Sequence, residues 1–293
     1  MLACKRLLMN SLKCPLRLSS SSTQRSCSGT TSTTDTEKTT HFGFRDVKES
    51  EKVKEVYSVF EAVASSYDSM NDAMSLGIHR IWKDIFIQRL GPTHGCRLLD
   101  SAGGTGDITF RYLHYLKDTK NKGLLKSHAT VCDINENMLD VGKARAERLG
   151  HKTNDLFEVE WQCCNAETLP FQDNSYNAYT IAFGIRNVTH IDKVLSEAYR
   201  VLTPGGRFLC LEFSHVDNDV LRWAYDKYSF QVIPMLGTVV TGEWQPYQYL
   251  VESIRKFPKQ DEFKEMIEYA GFRNVTYENL TCGIVAIHSG FKI

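Results

Sequence analysis

Leu98-Leu99-Asp100-Ser101-Ala102-Gly103-Gly104-Thr105-Gly106-Asp107, taken with a second apolar run that ends at Asp133, decides the fold. Residues 97–102 read as a short strand that stops in a glycine-dense turn, and the spacing of Ile108, Tyr112 and Leu116 predicts a helix directly after it. Gly103, Gly104 and Gly106, with Thr105 among them, permit a tight turn and let a ligand approach the backbone, while the helix N-terminus offers free N–H groups. Val131-Cys132-Asp133-Ile134 closes a second strand, which lets the Asp133 carboxylate meet paired ribose hydroxyls. The pattern is that of a nucleoside pocket.

A dinucleotide fingerprint needs a third glycine, but counting from Gly104 the positions hold Gly104, Gly106 and Thr109. Asp107, straight after the turn, would repel a pyrophosphate and would tolerate or attract a sulfonium and an amino group. Residues 103–107 are similar to the first motif of class I S-adenosylmethionine methyltransferases, whose ligand carries no phosphate. A nicotinamide oxidoreductase stays open at the level of fold, and nicotinamide binding would reveal it.

The chain has 293 residues, 42% hydrophobic and 24% charged, with a formal net charge of zero, which suffices for one ordinary domain with extensions. The neutrality averages two unlike parts. Residues 1–34 carry Lys5, Arg6, Lys13, Arg17 and Arg25, no acid, and a Ser/Thr-rich tail, the composition of an organelle transit peptide. Without those cations the body holds 30 basic against 35 acidic residues, so no nucleic-acid partner is expected. No apolar run suits a secretory signal or a membrane span. The nine cysteines form no C-x-x-C pair and have no histidine at zinc spacing, so no metal is expected and the thiols read as reduced core residues.

Strand and helix continue to alternate. Residues 157–164 and 178–185 read as the third and fourth strands, Thr189 with Asp192 as the capping box of the next helix, Pro204-Gly205-Gly206 as its end, and 207–213 as a fifth strand. A helix around Phe263, Met266, Ile267 and Ala270 precedes strands near Val275 and at 284–288. Such alternation implies an α/β fold with a mostly parallel sheet and helices on both faces. Ligands then gather at the strands' carboxyl ends, where Thr105, Asp133, Asn165, residues 183–187 and 212–214 all fall.

Tyr67-Asp68-Ser69-Met70-Asn71-Asp72-Ala73-Met74-Ser75-Leu76-Gly77-Ile78-His79-Arg80-Ile81-Trp82 resembles the N-terminal signature of the ubiquinone/menaquinone biosynthesis C-methyltransferases. Arg200-Val201-Leu202-Thr203-Pro204-Gly205-Gly206 through Leu211-Glu212-Phe213-Ser214 resembles the second signature, and Phe183-Gly184-Ile185-Arg186-Asn187-Val188 also fits. The resemblance implies a class I methyltransferase (Rossmann-like) fold and methyl transfer from S-adenosylmethionine to a ring carbon of a 2-methoxy-6-polyprenyl-1,4-benzoquinol, without a metal. It implies cofactor contacts at Gly103, Gly104, Thr105, Gly106, Asp133, Asn165 and Ala166, with the Asn165 side chain and the Ala166 backbone on the adenine. Ala182 departs from the family, some bacterial members carrying serine there. It further implies a mitochondrial enzyme on the matrix side of the inner membrane, in contact with other ubiquinone-biosynthesis enzymes.

A quinol carbon is nucleophilic when a neighbouring hydroxyl ionises, so positioning and phenolate stabilisation should dominate. Arg186 is expected beside the transferred methyl, to stabilise the phenolate or hold a water, or else to sit in a structural ion pair; it cannot be a base itself. Asn187 would orient the ring hydroxyl. His79 and Asp68 compete as general base, and both, with Tyr67, alternatively fix a lid through hydrogen bonds. The expected layout is a leader over 1–40, a helical lid over 41–95 and a catalytic domain over 96–293. Its aromatic insertion at 215–256 would line a channel for the polyprenyl tail, rest on a membrane interface as a peripheral contact, or form a packing layer or homodimer contact.

Overall fold

The order of strands places the site. A seven-stranded sheet runs β5-β4-β3-β6-β7-β9-β8 in the labels that follow, parallel except for β9, which is antiparallel to both neighbours. The computed structural model describes residues 38–63, 67–119, 125–151, 153–154 and 156–293, with the side chains of 62, 63, 67–69, 240 and 241 left out. The leader reading falls almost wholly outside these residues.

The described chain opens with a hairpin, β1 (Thr39–Phe42) and β2 (Arg45–Lys48), turned at Gly43 with φ +58°. Three helices follow: α1 (Glu49–Val63), α2 (Tyr67–Ser75) and α3 (Ile78–Leu90). The alternating part then runs β3 (Arg97–Ser101), α4 (Asp107–Asp118), β4 (Ser127–Asp133), α5 (Glu136–Arg148), β5 (Phe157–Cys163), β6 (Tyr176–Ala182), α6 (Ile191–Val201) and β7 (Leu202–Phe213). The insertion supplies α7 (Asp219–Lys227), a π turn at Tyr228–Val232, α8 (Ile233–Thr241) and α9 (Gln245–Lys256). Helix α10 (Gln260–Tyr269) and strands β8 (Arg273–Leu280) and β9 (Val285–Phe291) end the chain.

Adjacent residues Leu98 and Leu99, both fully buried, enter separate cores on opposite faces of the sheet, as the two-residue repeat of a strand requires. Leu99 joins the core under α6 and α10, with Val194, Leu195, Phe263 and Ile267; Leu98 joins the core under α3 and α4, with Phe86, Tyr112 and Leu113. Strand order reverses between β3 and β6, and the crevice at their carboxyl ends is where ligands are expected.

Three expectations are corrected. The fourth strand stops at Ala182, because Phe183 turns to φ +58° and a 3-10 turn over Ile185–Asn187 follows. Helix α6 is capped at His190, not Thr189, and by no capping box: Glu167 Oε1 accepts the Thr189 and His190 N–H groups at 2.7 and 3.1 Å, so a distant carboxylate takes the role assigned to Thr189. Cys132 and Cys164, expected as free thiols, are bonded to each other across a Cα separation of 6.0 Å, since β4 and β5 end side by side. Among the described residues no helix is long and apolar enough to cross a membrane.

Candidate active site

The carboxyl ends of β3, β4 and β6 wall a cavity of about 140 Å³ roofed by Val53, Tyr57 and Phe60 of α1. Gly103 is required in its floor, since a Cβ there would lie 2.7 Å from Val131 Cγ1 and 2.9 Å from the Asp100 carbonyl oxygen. Gly104, at φ +52°, donates its N–H to Asp133 Oδ2 at 2.9 Å, and Asn135 donates to Oδ1 at 2.8 Å, so the carboxylate is aimed across the glycine turn. Burial raises the Asp133 pKa against the pull of these backbone donors. Asp100 in the floor is pushed up to about 6 by burial, although Thr109 and Thr180 donate to it.

Thr105, Asn165, Ala166 and Ala182 line the same cavity, Asn165 with its Oδ1 already accepting the Glu167 N–H at 2.9 Å. Gly106 is outside the wall. A Cβ there would meet the Trp161 ring at 2.6 Å, so this glycine serves packing and the φ of +78° at the start of α4. Lys52 Nζ donates to the Val188 carbonyl at 2.8 Å, and His190 bridges Glu167 at 2.8 Å and Glu49 at 3.2 Å, which fixes α1 over the cavity.

A second, mainly apolar cavity of about 250 Å³ lies beside the first. It is framed by Met70, His79 and Trp82 before the sheet and by Tyr225, Tyr228 and Tyr249 of the insertion. Phe60, Lys83 and Phe183 line both cavities and mark where they meet. Arg186 faces the second cavity. Its Nη1 donates to Glu212 Oε1 at 2.8 Å and to the Phe183 carbonyl at 2.5 Å, and its Nε is buried with no hydrogen-bond partner among the described residues. Arg186 thus sits in a buried ion pair and at the same time lines the second cavity. Asn187 lies in the wall of the first cavity and accepts a hydrogen bond from the Tyr249 hydroxyl at 3.1 Å.

His79 lines the second cavity, with Nδ1 2.8 Å from Ser75 Oγ and Nε2 3.7 Å from Asp72. Burial and then the Lys83 charge lower its pKa, which keeps the ring neutral and able to accept a proton at neutral pH. Tyr67 and Asp68 begin α2, but their side chains lie outside the described residues. Among the described residues no group of three or more His, Cys, Asp or Glu side chains converges as a metal site.

The model of the ubiE/COQ5 methyltransferase family matches residues 45–292. The chain belongs to that family. A Drosophila melanogaster relative named mitochondrial 2-methoxy-6-polyprenyl-1,4-benzoquinol methylase is 65% identical over 94% of this chain and 94% of its own length. The Bos taurus and Homo sapiens proteins of the same name are 57% and 55% identical, each over 87% of this chain and 84% of its own length. A solved SAM-dependent methyltransferase from Thermotoga maritima is 18% identical with a TM-score of 0.52, over 81% of this chain and 100% of that one. At that identity the likeness is one of fold.

Within the ubiE/COQ5 frame, sequence reasoning missed several residues. Glu212 was placed at a strand end without a role, yet it is the counter-ion of Arg186. Asp100 read as part of a strand and is a cavity floor. Lys83, to which the sequence assigns no role, has a side chain only 8% exposed, with its Nζ 2.7 Å from Asp107 Oδ2. Asp107 was expected to attract the ligand's cations; burial opposes its ionisation, but Lys83, Arg111 and Arg145 hold it down at about 2. Trp82 donates to Thr281 Oγ1 at 2.8 Å, and Thr281 and Cys282 both adopt left-handed φ there, near +49° and +57°. No local signal in the sequence links Lys83 to Asp107 or Trp82 to Thr281.

Proposed function

We propose that this protein methylates a ring carbon of a 2-methoxy-6-polyprenyl-1,4-benzoquinol with S-adenosylmethionine as donor, a step of ubiquinone biosynthesis. The observation that carries this reading is the meeting of the two cavities at Phe60, Lys83 and Phe183: one built for a nucleoside, the other apolar and bearing Arg186 and His79. The first suits the donor because the tight turn through Gly103 and Gly104 brings bare backbone to its wall and Asp133 lines it beside that turn.

S-adenosylmethionine brings a methyl group already activated on sulfur. The ring carbon forms the new bond as the sulfur–methyl bond breaks, and the carbon then gives up its proton. Arg186, which lines the second cavity, stabilises the phenolate with guanidinium N–H groups that Glu212 and the Phe183 carbonyl leave unused. Asn187, held by Tyr249, orients the ring hydroxyl across the junction. His79 accepts a proton from the quinol, with Asp68 as the competing candidate; Tyr67, also at the start of α2, belongs with the lid. Gly103, Gly104, Thr105, Asp133, Asn165 and Ala166 hold the donor.

The aromatic insertion houses the base of the polyprenyl tail, and its exposed Trp223 and Trp244, 64% and 49% exposed, suit a membrane interface. The same reading gives residues 1–40 as a mitochondrial leader, 41–95 as a lid and 96–293 as the catalytic domain. It puts the protein peripherally on the matrix side of the inner membrane, among other ubiquinone-biosynthesis enzymes and in contact with a second copy. The mitochondrial names of the relatives support the compartment. The test is transfer of labelled methyl from S-adenosylmethionine to a short-tailed 2-methoxy-benzoquinol by the full chain. Transfer that disappears in Asp133→Ala supports the reading; donor binding by the wild type without any transfer overturns it.

A further inference from the structure

Charges in the first cavity are lopsided. Its wall holds the carboxylates of Asp100, Asp107, Asp133 and Glu167 and, among the described residues, a single cationic side chain, Lys83. Asp133 is taken up by the Gly104 and Asn135 N–H groups, and Glu167 by His190 and two backbone N–H groups. S-adenosylmethionine carries two cations, the sulfonium and the α-ammonium, and one anion, the α-carboxylate. Asp107 is paired with Lys83, Arg111 and Arg145, which leaves Asp100 for the cations to meet. The carboxylate has Lys83.

Lys83 is equipped for that. One of its N–H groups goes to Asp107 Oδ2 at 2.7 Å, and Asp107 is shared with Arg111 at 3.1 Å and Arg145 at 3.4 Å. Arg111 also reaches the exposed Asp84 at 3.0 Å, so Asp107 and Asp84 share these cations. An ammonium with three donors can hold Asp107 and an incoming carboxylate together.

Resting on the reading of this cavity as the donor's, we propose that Lys83 is the binding site for the α-carboxylate of S-adenosylmethionine. Lys83 also lines the quinol cavity, so an anchor there holds the amino-acid end at the junction and presents the sulfonium, a short carbon chain away, to the ring. The residue thereby sets the line of attack as well as the affinity.

The test is calorimetric titration of the full chain with two probes. S-adenosylhomocysteine has the amino-acid end; 5′-deoxy-5′-methylthioadenosine keeps the adenosine and the sulfur and lacks it. Lys83→Met should weaken S-adenosylhomocysteine about tenfold or more, the scale of a lost charge-assisted contact, and leave methylthioadenosine within about twofold. Lys83→Arg should restore most of the loss. Unchanged methylthioadenosine binding doubles as proof that the variant is folded. If Lys83→Met does not fold, Lys83→Gln replaces it with the same expectation. Equal loss on both probes, or no loss on either with a raised KM for quinol, overturns the proposal. Failure of the wild type to bind either probe would overturn the cofactor reading instead.

Discussion

Arg186 and Glu212 form a pair with side chains 5% and 1% exposed, and its energetics are those of buried charge. Removing one member strands the other, so Glu212→Gln should cost about 3–5 kcal/mol in urea unfolding. Adding Arg186→Met should recover most of that stability while leaving the chain inactive, because the cavity has then lost its guanidinium. Asp100 gives the pH dependence. Its pKa, up from 3.8 to about 6, means that the folded chain holds this proton more tightly than the unfolded chain. Between those values the group therefore costs stability as pH rises, and the cost is relieved as pH falls. A cationic ligand prefers the ionised form, so S-adenosylmethionine affinity should rise as pH rises through about 6 and level off above it. Titration calorimetry across that range checks this, and Asp100→Asn should flatten the profile; an affinity that falls with rising pH would contradict it.

At the scale of elements, the hairpin acts on the quinol cavity without lining it. Phe42 of β1 stacks on Tyr249 of α9, centroids 4.1 Å apart and 12° from parallel, and Tyr249 in turn reaches Asn187. Phe42→Ala should cost about 3 kcal/mol and raise the KM for quinol, while S-adenosylhomocysteine affinity stays close to wild type. This hairpin was not legible in the sequence: Thr39–Phe42 and Arg45–Lys48 are short and polar, with no alternating run to flag them. The opposite holds for β3, β4 and β6. Their apolar runs and the glycine turn made both the strands and the ligand-bearing ends readable, because a buried parallel strand writes its environment into consecutive residues. Thr189 shows the limit: a capping sequence was present, but Glu167, from another turn, reached the N–H groups first.

Across the whole molecule, the first cavity is formed by the sheet's strand ends and roofed by α1, while the second is assembled mostly from segments before and after the sheet. That division explains what could be read in advance. Asp133 and the glycine turn are local to strand ends, whereas Lys83 owes its burial to Asp107 and Trp82 its orientation to Thr281, partners that only the fold brings near. It also predicts that shortening the polyprenyl tail should raise the KM for quinol and leave donor affinity unchanged, since the insertion's aromatic residues border only the second cavity. The most direct test of the account is the fate of the methyl group. With ¹³C-methyl S-adenosylmethionine and a 2-methoxy-6-prenyl benzoquinol, nuclear magnetic resonance of the product should show the label on a ring carbon. Label on a quinol oxygen, or none while the donor is bound, would contradict it.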